Sequence, residues 1–235
     1  MGPVRAPIVA SACLFDLLFG DPAARPDLAA GAAAVRDALG GAGPLAEGSV
    51  GAGTGATVGK LLGPEHVMKG GLGARALSWG GLKVGAVAAV NACGNVMDPK
   101  SGQAVAGVRK ADGSGILDME EAMLAAPDLT MPLEQGRANT TISCVVTNAR
   151  LTKAQATKVA QMAADAYAHT IRPTHTTNDG DTVFVLASGA DEAGDVPLDL
   201  LGLIATRALE AAIVAGAREA AGAHGVPSAR DLGLA

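Results

Sequence analysis

A pair of threonines stands where an apolar segment begins, in the run Asn139-Thr140-Thr141-Ile142. A threonine hydroxyl is a weak nucleophile unless a base lies beside it, and cleavage of the chain before Thr140 would supply its own α-amine as that base. The reference pKa of an α-amine is about 7.7–8.0, so this group can take up the hydroxyl proton near neutral pH. Threonines at the start of a strand also follow from β-propensity, and the spacing alone leaves both interpretations open.

Two carboxylates, Asp179 and Asp181, are separated by a single glycine just before a second apolar segment. Such a pair can point to one side of a turn and hold an amine or a hydroxyl in place. The same residues are typical of an Asx-type turn that opens a strand. The nearby His175 has no partner at a suggestive spacing, and we interpret it as a structural hydrogen-bonding residue rather than a base.

Asn91 and Lys60 complete the set of candidate catalytic residues. Asn91 follows the apolar run 84–90, where its amide could donate to an oxyanion or could simply terminate a strand. Lys60 ends the glycine-rich run 51–60, where its ammonium group is either solvated or directed into a pocket.

The glycine-rich run 51–60 fits neither common nucleotide-binding motif. A P-loop needs Gly where this chain has Thr54, and Ser or Thr where it has Leu61. A dinucleotide fingerprint needs a preceding strand, and its third glycine falls on Ala56. We therefore expect a tight turn that lets the backbone pass close to a neighbouring segment.

The composition excludes several classes of protein. The 235 residues include 18 basic and 23 acidic side chains, for a net charge of −5, and only 2% are aromatic. Binding of single-stranded nucleic acid needs aromatic platforms next to positive charge, so we expect no nucleic-acid partner. Asp16 and Asp21 interrupt the apolar run near the start, and we expect neither a signal peptide nor a membrane partner.

Cysteine and histidine usage predicts a reducing compartment and no metal site. The three cysteines lack paired spacing, which argues against a disulfide framework and for a cytoplasmic protein. The four histidines are scattered and there is no C-x-x-C, so we expect neither a metal nor another cofactor.

The periodicity of apolar residues predicts an α/β protein of one domain. The predicted strands are 84–90, 142–146 and 181–187, and the segment 7–19 is a buried strand or a short helix. The predicted helices are 27–39, 152–171 (with a capping box from Thr152 to Gln155) and 198–221. The segment 118–139 combines a short helical piece with two prolines and is the most linker-like part of the chain.

These features follow one another in an order that resembles the self-processing aminopeptidases of the DmpA type, which include β-peptidyl aminopeptidases and nylon-oligomer hydrolases. The residues that carry the resemblance are Pro7-Ile-Val, Leu14-Phe-Asp16-Leu, Gly20-Asp21-Pro22, the run 51–60, Asn91, Asn139 to Gln155, and Asp179-Gly-Asp-Thr-x-Phe184. The resemblance extends from Pro7 to about Ala215. It implies an αββα sandwich of the type shared by DmpA and the ornithine acetyltransferases.

The resemblance further implies an N-terminal-nucleophile hydrolase that cuts itself between Asn139 and Thr140. A single hydrolase domain, 1–235, would then consist of an α chain, 1–139, and a β chain, 140–235. Members of the family carry an additional portion before the Pro-Ile-Val segment. We expect this chain to be a short form without that portion, with exposed apolar surface as the consequence.

The resemblance also implies roles for five positions. Thr140 would be the nucleophile, and Lys60 and Asn91 would lie at the oxyanion. Asp179 and Asp181 would be the pair that holds the nucleophile and its amine. The expected substrate is a small peptide or amide, no cofactor is needed, and the expected assembly is a homo-oligomer. Two alternatives stay open. One is an acyltransferase of the ornithine acetyltransferase type, which passes the acyl group to an amine, and the other is an inactive fragment.

Overall fold

The computed structural model describes residues 9–41, 43–126, 128, 139–190 and 193–234. Both strands and helices occur in these ranges, which confirms the α/β prediction. The strands are β1 Thr57–Val58, β2 Met68–Lys69, β3 Leu72–Trp79, β4 Leu82–Asn91, β5 Asn95–Met97, β6 Ala104–Ala106, β7 Thr140–Thr147, β8 Ile171–Arg172 and β9 Thr182–Ala187. The helices are α1 Leu28–Gly40, α2 Met119–Ala125, α3 Lys153–Ala163, α4 Asp165–Thr170 and α5 Leu198–Arg218.

The central feature is a four-stranded sheet with the order β3-β4-β7-β9. Strand β4 runs antiparallel to β3 and β7, whereas β9 runs parallel to β7. This topology brings the carboxyl end of β4 and the amino ends of β7 and β9 to one edge of the sheet. The segments that join these ends therefore meet at that edge, which is the common position for functional loops on a rigid scaffold.

Helix α5 covers β3 and β4 on one face of the sheet, and α3 covers β9. Every second residue of β4 from Leu82 to Val90 is at most 1% exposed, and these side chains share one core with α5. The helix approaches very closely, because a Cβ on Gly73 would lie only 2.0 Å from the carbonyl oxygen of Ala212. The lack of a side chain at Gly73 is what permits this close packing of the helix on the sheet.

Length and composition alone would allow α5 to cross a membrane. However, 72% of its most apolar window is buried inside the fold, which is the setting of a core helix. The opposite face of the sheet carries more accessible apolar side chains, since Val146 is 45% exposed and Leu186 is 59% exposed.

Most of the predicted elements are confirmed, with shifted ends. Asp27 caps α1 by accepting a hydrogen bond from the N–H of Ala30, and Thr152 forms the predicted capping box with Gln155. The predicted helix 152–171 is divided into α3 and α4 at Ala164. It ends before residue 171 because the backbone there pairs with β5 as strand β8.

The prediction for 7–19 is wrong over its described part. Residues 9–19 form neither strand nor helix and are mostly exposed. The carbonyl oxygen of Phe15 accepts a hydrogen bond from the side chain of Asn91 on β4 instead of from the backbone of a neighbouring strand. The linker-like segment 118–139 is described only at its two ends. Asp118 caps α2, and residues 127 and 129–138 lie outside the described part of the chain.

Candidate active site

Thr140 and Asn91 are neighbours in the sheet. Thr140 is the first residue of β7, Asn91 is the last residue of β4, and the two are directly paired in the antiparallel ladder. Asn91 is fully buried and Thr140 is 5% exposed. Directly paired residues of adjacent strands point to the same face of a sheet, so the hydroxyl and the amide share one face at this edge.

The carbonyl oxygen of Asn139 accepts two hydrogen bonds. The hydroxyl of Thr140 donates to it over 2.6 Å, and the N–H of Gly180 donates to it over 2.8 Å. A bridge between Asn139 and Asp179 aligns the two backbone segments in parallel. A backbone N–H aimed at a carbonyl oxygen is the kind of donor that stabilises an oxyanion when the carbonyl carbon is attacked.

Lys60 is joined to Asn91 by two hydrogen bonds. Its Nζ donates to Oδ1 of Asn91 over 2.8 Å and to the Asn91 carbonyl oxygen over 3.1 Å. The Nδ2 of Asn91 donates to the carbonyl oxygen of Phe15 over 3.0 Å. Burial lowers the pKa of Lys60 to about 7. The group is therefore poised between its charged and neutral forms near neutral pH, as groups in active sites often are.

The glycine-rich run 51–60 makes the predicted close approach to a neighbouring segment, although Thr57–Val58 within it form strand β1 rather than part of a turn. Gly59 has a φ of +73°, and a Cβ there would lie 2.1 Å from the carbonyl carbon of Gly107. The N–H of Lys60 then donates to the carbonyl oxygen of Cys93 over 2.9 Å. Only glycine permits this close approach at position 59. The approach brings the next residue, Lys60, beside the end of β4.

The two aspartates precede β9 and have different partners. Asp181 accepts the N–H of Thr141, the residue after Thr140, on its Oδ1 over 2.8 Å. Burial raises the pKa of Asp181, and the charge of Asp179 raises it further. Oδ2 of Asp179 accepts the N–H and the hydroxyl of Thr176 over 2.8 and 2.7 Å, so this oxygen closes the turn that leads to β9.

The structure thus brings the five residues singled out in the sequence to one edge of the sheet. These residues are Lys60, Asn91, Thr140, Asp179 and Asp181. Cys93 lies among them, and burial raises the pKa of its thiol to about 12, so it is no thiolate nucleophile at neutral pH. Within the described ranges, no group of three or more His, Cys, Asp or Glu side chains is placed to hold a metal ion.

Sequence reasoning missed three contributors to this edge. Two are backbone groups, the N–H of Gly180 and the carbonyl of Phe15, and backbone groups have no signature in residue type. The third is Tyr167, whose hydroxyl lies 2.8 Å from Oγ of Ser143 and 3.1 Å from the carbonyl oxygen of Thr182 and so links β7 to β9. A lone tyrosine in an aromatic-poor chain is a signal that could have pointed to it.

A cavity of about 920 Å³ lies between the segment 12–26 and the glycine-rich turn. Its wall includes Ile142, two residues after Thr140, and Lys69. The Nζ of Lys69 donates to the carbonyl oxygen of Thr54 over 2.8 Å, and burial lowers the pKa of this lysine to about 8. A space of this size is typical of small-molecule sites.

Comparison with known proteins gives matches along almost the whole chain. Residues 3–230 match the family described as peptidase family S58. An uncharacterized aminopeptidase of Mycobacterium tuberculosis (strain ATCC 25618 / H37Rv) is 38% identical over 242 residues, which cover 96% of this chain and 67% of that protein. A 6-aminohexanoate-oligomer endohydrolase of Kocuria sp. (strain KY2) is 31% identical over 213 residues, covering 88% of this chain and 57% of that protein.

Solved structures show the fold. The L-aminopeptidase D-Ala-esterase/amidase from Ochrobactrum anthropi, described as a variant of the Ntn hydrolase fold, is similar with a TM-score of 0.54 and 22% identity, over 86% of this chain and 55% of that one. A β-aminopeptidase from Burkholderia sp. is similar with a TM-score of 0.51 and 24% identity, over 86% and 57% of the two chains. The expected fold class is confirmed, and the chain spans little more than half the length of these two structures.

Proposed function

The chain belongs to peptidase family S58, and on that premise we propose that it is an amide hydrolase activated by cleavage of its own chain before Thr140. The family match confirms the resemblance to the DmpA-type aminopeptidases and supports a hydrolase. The observation that carries the proposal is the Asn139 carbonyl oxygen, which accepts hydrogen bonds from both the Thr140 hydroxyl and the Gly180 N–H.

The proposed self-cleavage is an N–O acyl shift followed by hydrolysis. Oγ1 of Thr140 forms a bond to the carbonyl carbon of Asn139 while a water molecule takes up its proton for delivery to the peptide nitrogen, and the carbonyl oxygen becomes an oxyanion that the Gly180 N–H stabilises. The C–N bond then breaks, the nitrogen takes a proton, and an ester joins Asn139 to the threonine oxygen. Water hydrolyses this ester, which leaves a carboxylate on chain 1–139 and a free α-amine and hydroxyl on chain 140–235.

Turnover of a substrate repeats the chemistry with the freed amine as the base. The α-amine of Thr140 takes the hydroxyl proton while the oxygen attacks the substrate carbonyl. Nδ2 of Asn91 and the ammonium of Lys60 stabilise the oxyanion, and Asp179 with Asp181 orient the amine. The proton passes to the departing amine, and water then hydrolyses the ester on Thr140.

The names of the relatives support the substrate class. The mycobacterial protein is named an aminopeptidase and the Kocuria protein an oligomer endohydrolase. We therefore propose that small peptides or linear amide oligomers are the substrates. That the protein is a cytoplasmic homo-oligomer stays a prediction.

Hydrolysis of small amides tests the proposal. The purified chain is given aminoacyl anilides and linear 6-aminohexanoate oligomers, and free acid is measured beside the Thr140→Ala variant and a Thr157→Ala control on the exposed side of α3. We expect hydrolysis by the wild type and the control and none by Thr140→Ala. A Thr140→Ala chain as active as the wild type would overturn the assignment, and transfer to an added amine in preference to water would favour the acyltransferase.

A further inference from the structure

His175 has an uncommon backbone conformation next to the candidate site. It lies in the segment between β8 and β9, and its φ of +53° is in the left-handed region. Residues other than glycine seldom adopt this region, and the ones that do are held there by their surroundings. The side chain of His175 is 50% exposed, so burial does not account for the conformation.

The imidazole of His175 contacts the carboxylate of Asp181. Its Nδ1 lies 3.1 Å from Oδ2 of Asp181, whose side chain is only 6% exposed. The other carboxylate oxygen, Oδ1, accepts the N–H of Thr141. One carboxylate therefore connects the imidazole to the residue that follows Thr140, and a rotation of that carboxylate would break both contacts.

The ring of Tyr167 also packs against the ring of His175. The two rings meet edge to face, with centroids 5.7 Å apart and an interplanar angle of 75°. The hydroxyl of Tyr167 is itself anchored on β7, where it donates to Oγ of Ser143 over 2.8 Å. The imidazole therefore has two contacts, one with an aromatic ring that is tied to the sheet and one with the Asp181 carboxylate.

We infer that His175 is a positioning residue for the proposed hydrolase. Its Nδ1–H donates to Asp181 and so keeps that carboxylate hydrogen-bonded to the N–H of Thr141, beside the nucleophile. The inference rests on the proposed function. It revises our interpretation of His175 as a merely structural hydrogen-bonding residue, because its partner is one of the five candidate residues. The Nδ1–H tautomer and the imidazolium both carry this donor.

The pH dependence of Asp181 follows from the groups that face it. Burial and the charge of Asp179 raise its pKa, while His175 and the Thr141 N–H lower it. The phenol of Tyr167 faces the same carboxylate, and the α-amine of Thr140 would join this set after cleavage. Loss of the imidazole therefore raises the pKa of Asp181, and activity that needs the carboxylate is lost at a higher pH.

Three variants separate positioning from a general structural effect. His175→Gly removes the donor and accepts a positive φ, whereas His175→Asn keeps an N–H near the position of Nδ1 and also tolerates the left-handed region. His169→Ala is the matched control, because His169 pairs with Glu210 at 2.6 Å with side-chain exposures of 52% and 7%, almost those of the His175 pair.

We expect His175→Gly to lower kcat by about 10- to 100-fold with KM changed less than about threefold, the scale of losing a hydrogen bond to a charged group. The acid limb of its pH profile should move to higher pH. His175→Asn should restore kcat to within about threefold, and His169→Ala should match the wild type. Wild-type kcat in His175→Gly, or no recovery in His175→Asn, would overturn the inference.

A second measurement does not depend on activity. In the Thr140→Ala background, carbon-13 NMR follows the titration of the Asp181 carboxyl with and without His175→Gly. The inference predicts a higher midpoint in the glycine variant, and an unchanged midpoint contradicts it. If the wild type hydrolyses no amide at all, the proposed function fails while this titration still decides whether His175 holds Asp181.

Discussion

Thr140 lies directly opposite Asn91 in the β4–β7 ladder, so the candidate nucleophile and the candidate oxyanion donor are fixed by the same backbone pairing. Their relative position depends on the register of two central strands rather than on a loop. A shift of one residue would turn one side chain to the opposite face of the sheet and separate the pair. The register is therefore as important to the proposed chemistry as either side chain.

Asn91→Ala should lower kcat by about 10²- to 10³-fold with little change in KM, since an oxyanion donor acts on the transition state. Asn148→Ala is the control, because Asn148 joins β7 to the opposite end of the β4 hairpin through hydrogen bonds to Lys83 and Gly81. Steady-state kinetics on one amide substrate decides the outcome. An effect on KM alone would mean that Asn91 only contacts the substrate.

Asp181→Asn should lower turnover by about 10²-fold or more while circular dichroism stays that of the wild type. The reason is that the amide keeps the shape of the carboxylate but removes its negative charge beside Thr141. Asp179→Asn should also reduce turnover, although one of its oxygens closes the turn at Thr176 and the variant should lose some thermal stability as well. Normal kinetics in both variants would return the pair to a turn-forming role.

Gly180→Ala should slow self-cleavage, because the added Cβ would lie 2.8 Å from Oγ1 of Thr140 and displace the hydroxyl from the Asn139 carbonyl. Gly85→Ala serves as the control, since the nearest atom to a Cβ there is 3.9 Å away in the same sheet. The fraction of cleaved chain is measured against time on denaturing gels. Equal rates for Gly180→Ala and the wild type would contradict the proposed geometry of the cleavage site.

Lys60→Gln tests whether the ammonium supports the oxyanion. With a pKa of about 7, Lys60 is charged on the acid side of neutrality and neutral on the alkaline side. The variant should therefore lose about 10²-fold in kcat at pH 6 and much less at pH 9. Lys83→Gln, at an exposed position of β4, should show no such difference. A loss in Lys60→Gln that is the same at both pH values would exclude a role for the charge.

The elements that carry the site were largely predictable, and their arrangement was not. The strands at 84–90, 142–146 and 181–187 are apolar runs, so local pattern was enough to predict them. Strand β3 was missed because Leu72–Trp79 contains Gly73 and Arg75 and has no continuous apolar run. The pairing of β7 with β4 on one side and β9 on the other is a long-range choice that no local pattern specifies.

The candidate residues could likewise be predicted from the sequence, whereas their long-range contacts could not. Lys60, Asn91, Thr140, Asp179 and Asp181 were identifiable because their order along the chain resembles a family, but their partners were not. The hydrogen bond from the Gly180 N–H to the Asn139 carbonyl depends on a parallel bridge between distant segments. The partner of His175 was missed because a helical or strand periodicity does not apply to the irregular segment between β8 and β9.

The central claim is that Thr140 cuts the chain before itself, and the intact mass of the purified protein tests it most directly. Electrospray mass spectrometry under denaturing conditions, with N-terminal sequencing of any smaller piece, is applied to the wild type and to Thr140→Ala. The account predicts chains of 139 and 96 residues in the wild type, the second beginning Thr-Thr-Ile-Ser, and a single intact chain in Thr140→Ala. A Thr140→Ala protein that still separates into these two pieces, or a wild type that hydrolyses amides while remaining one chain, would contradict it.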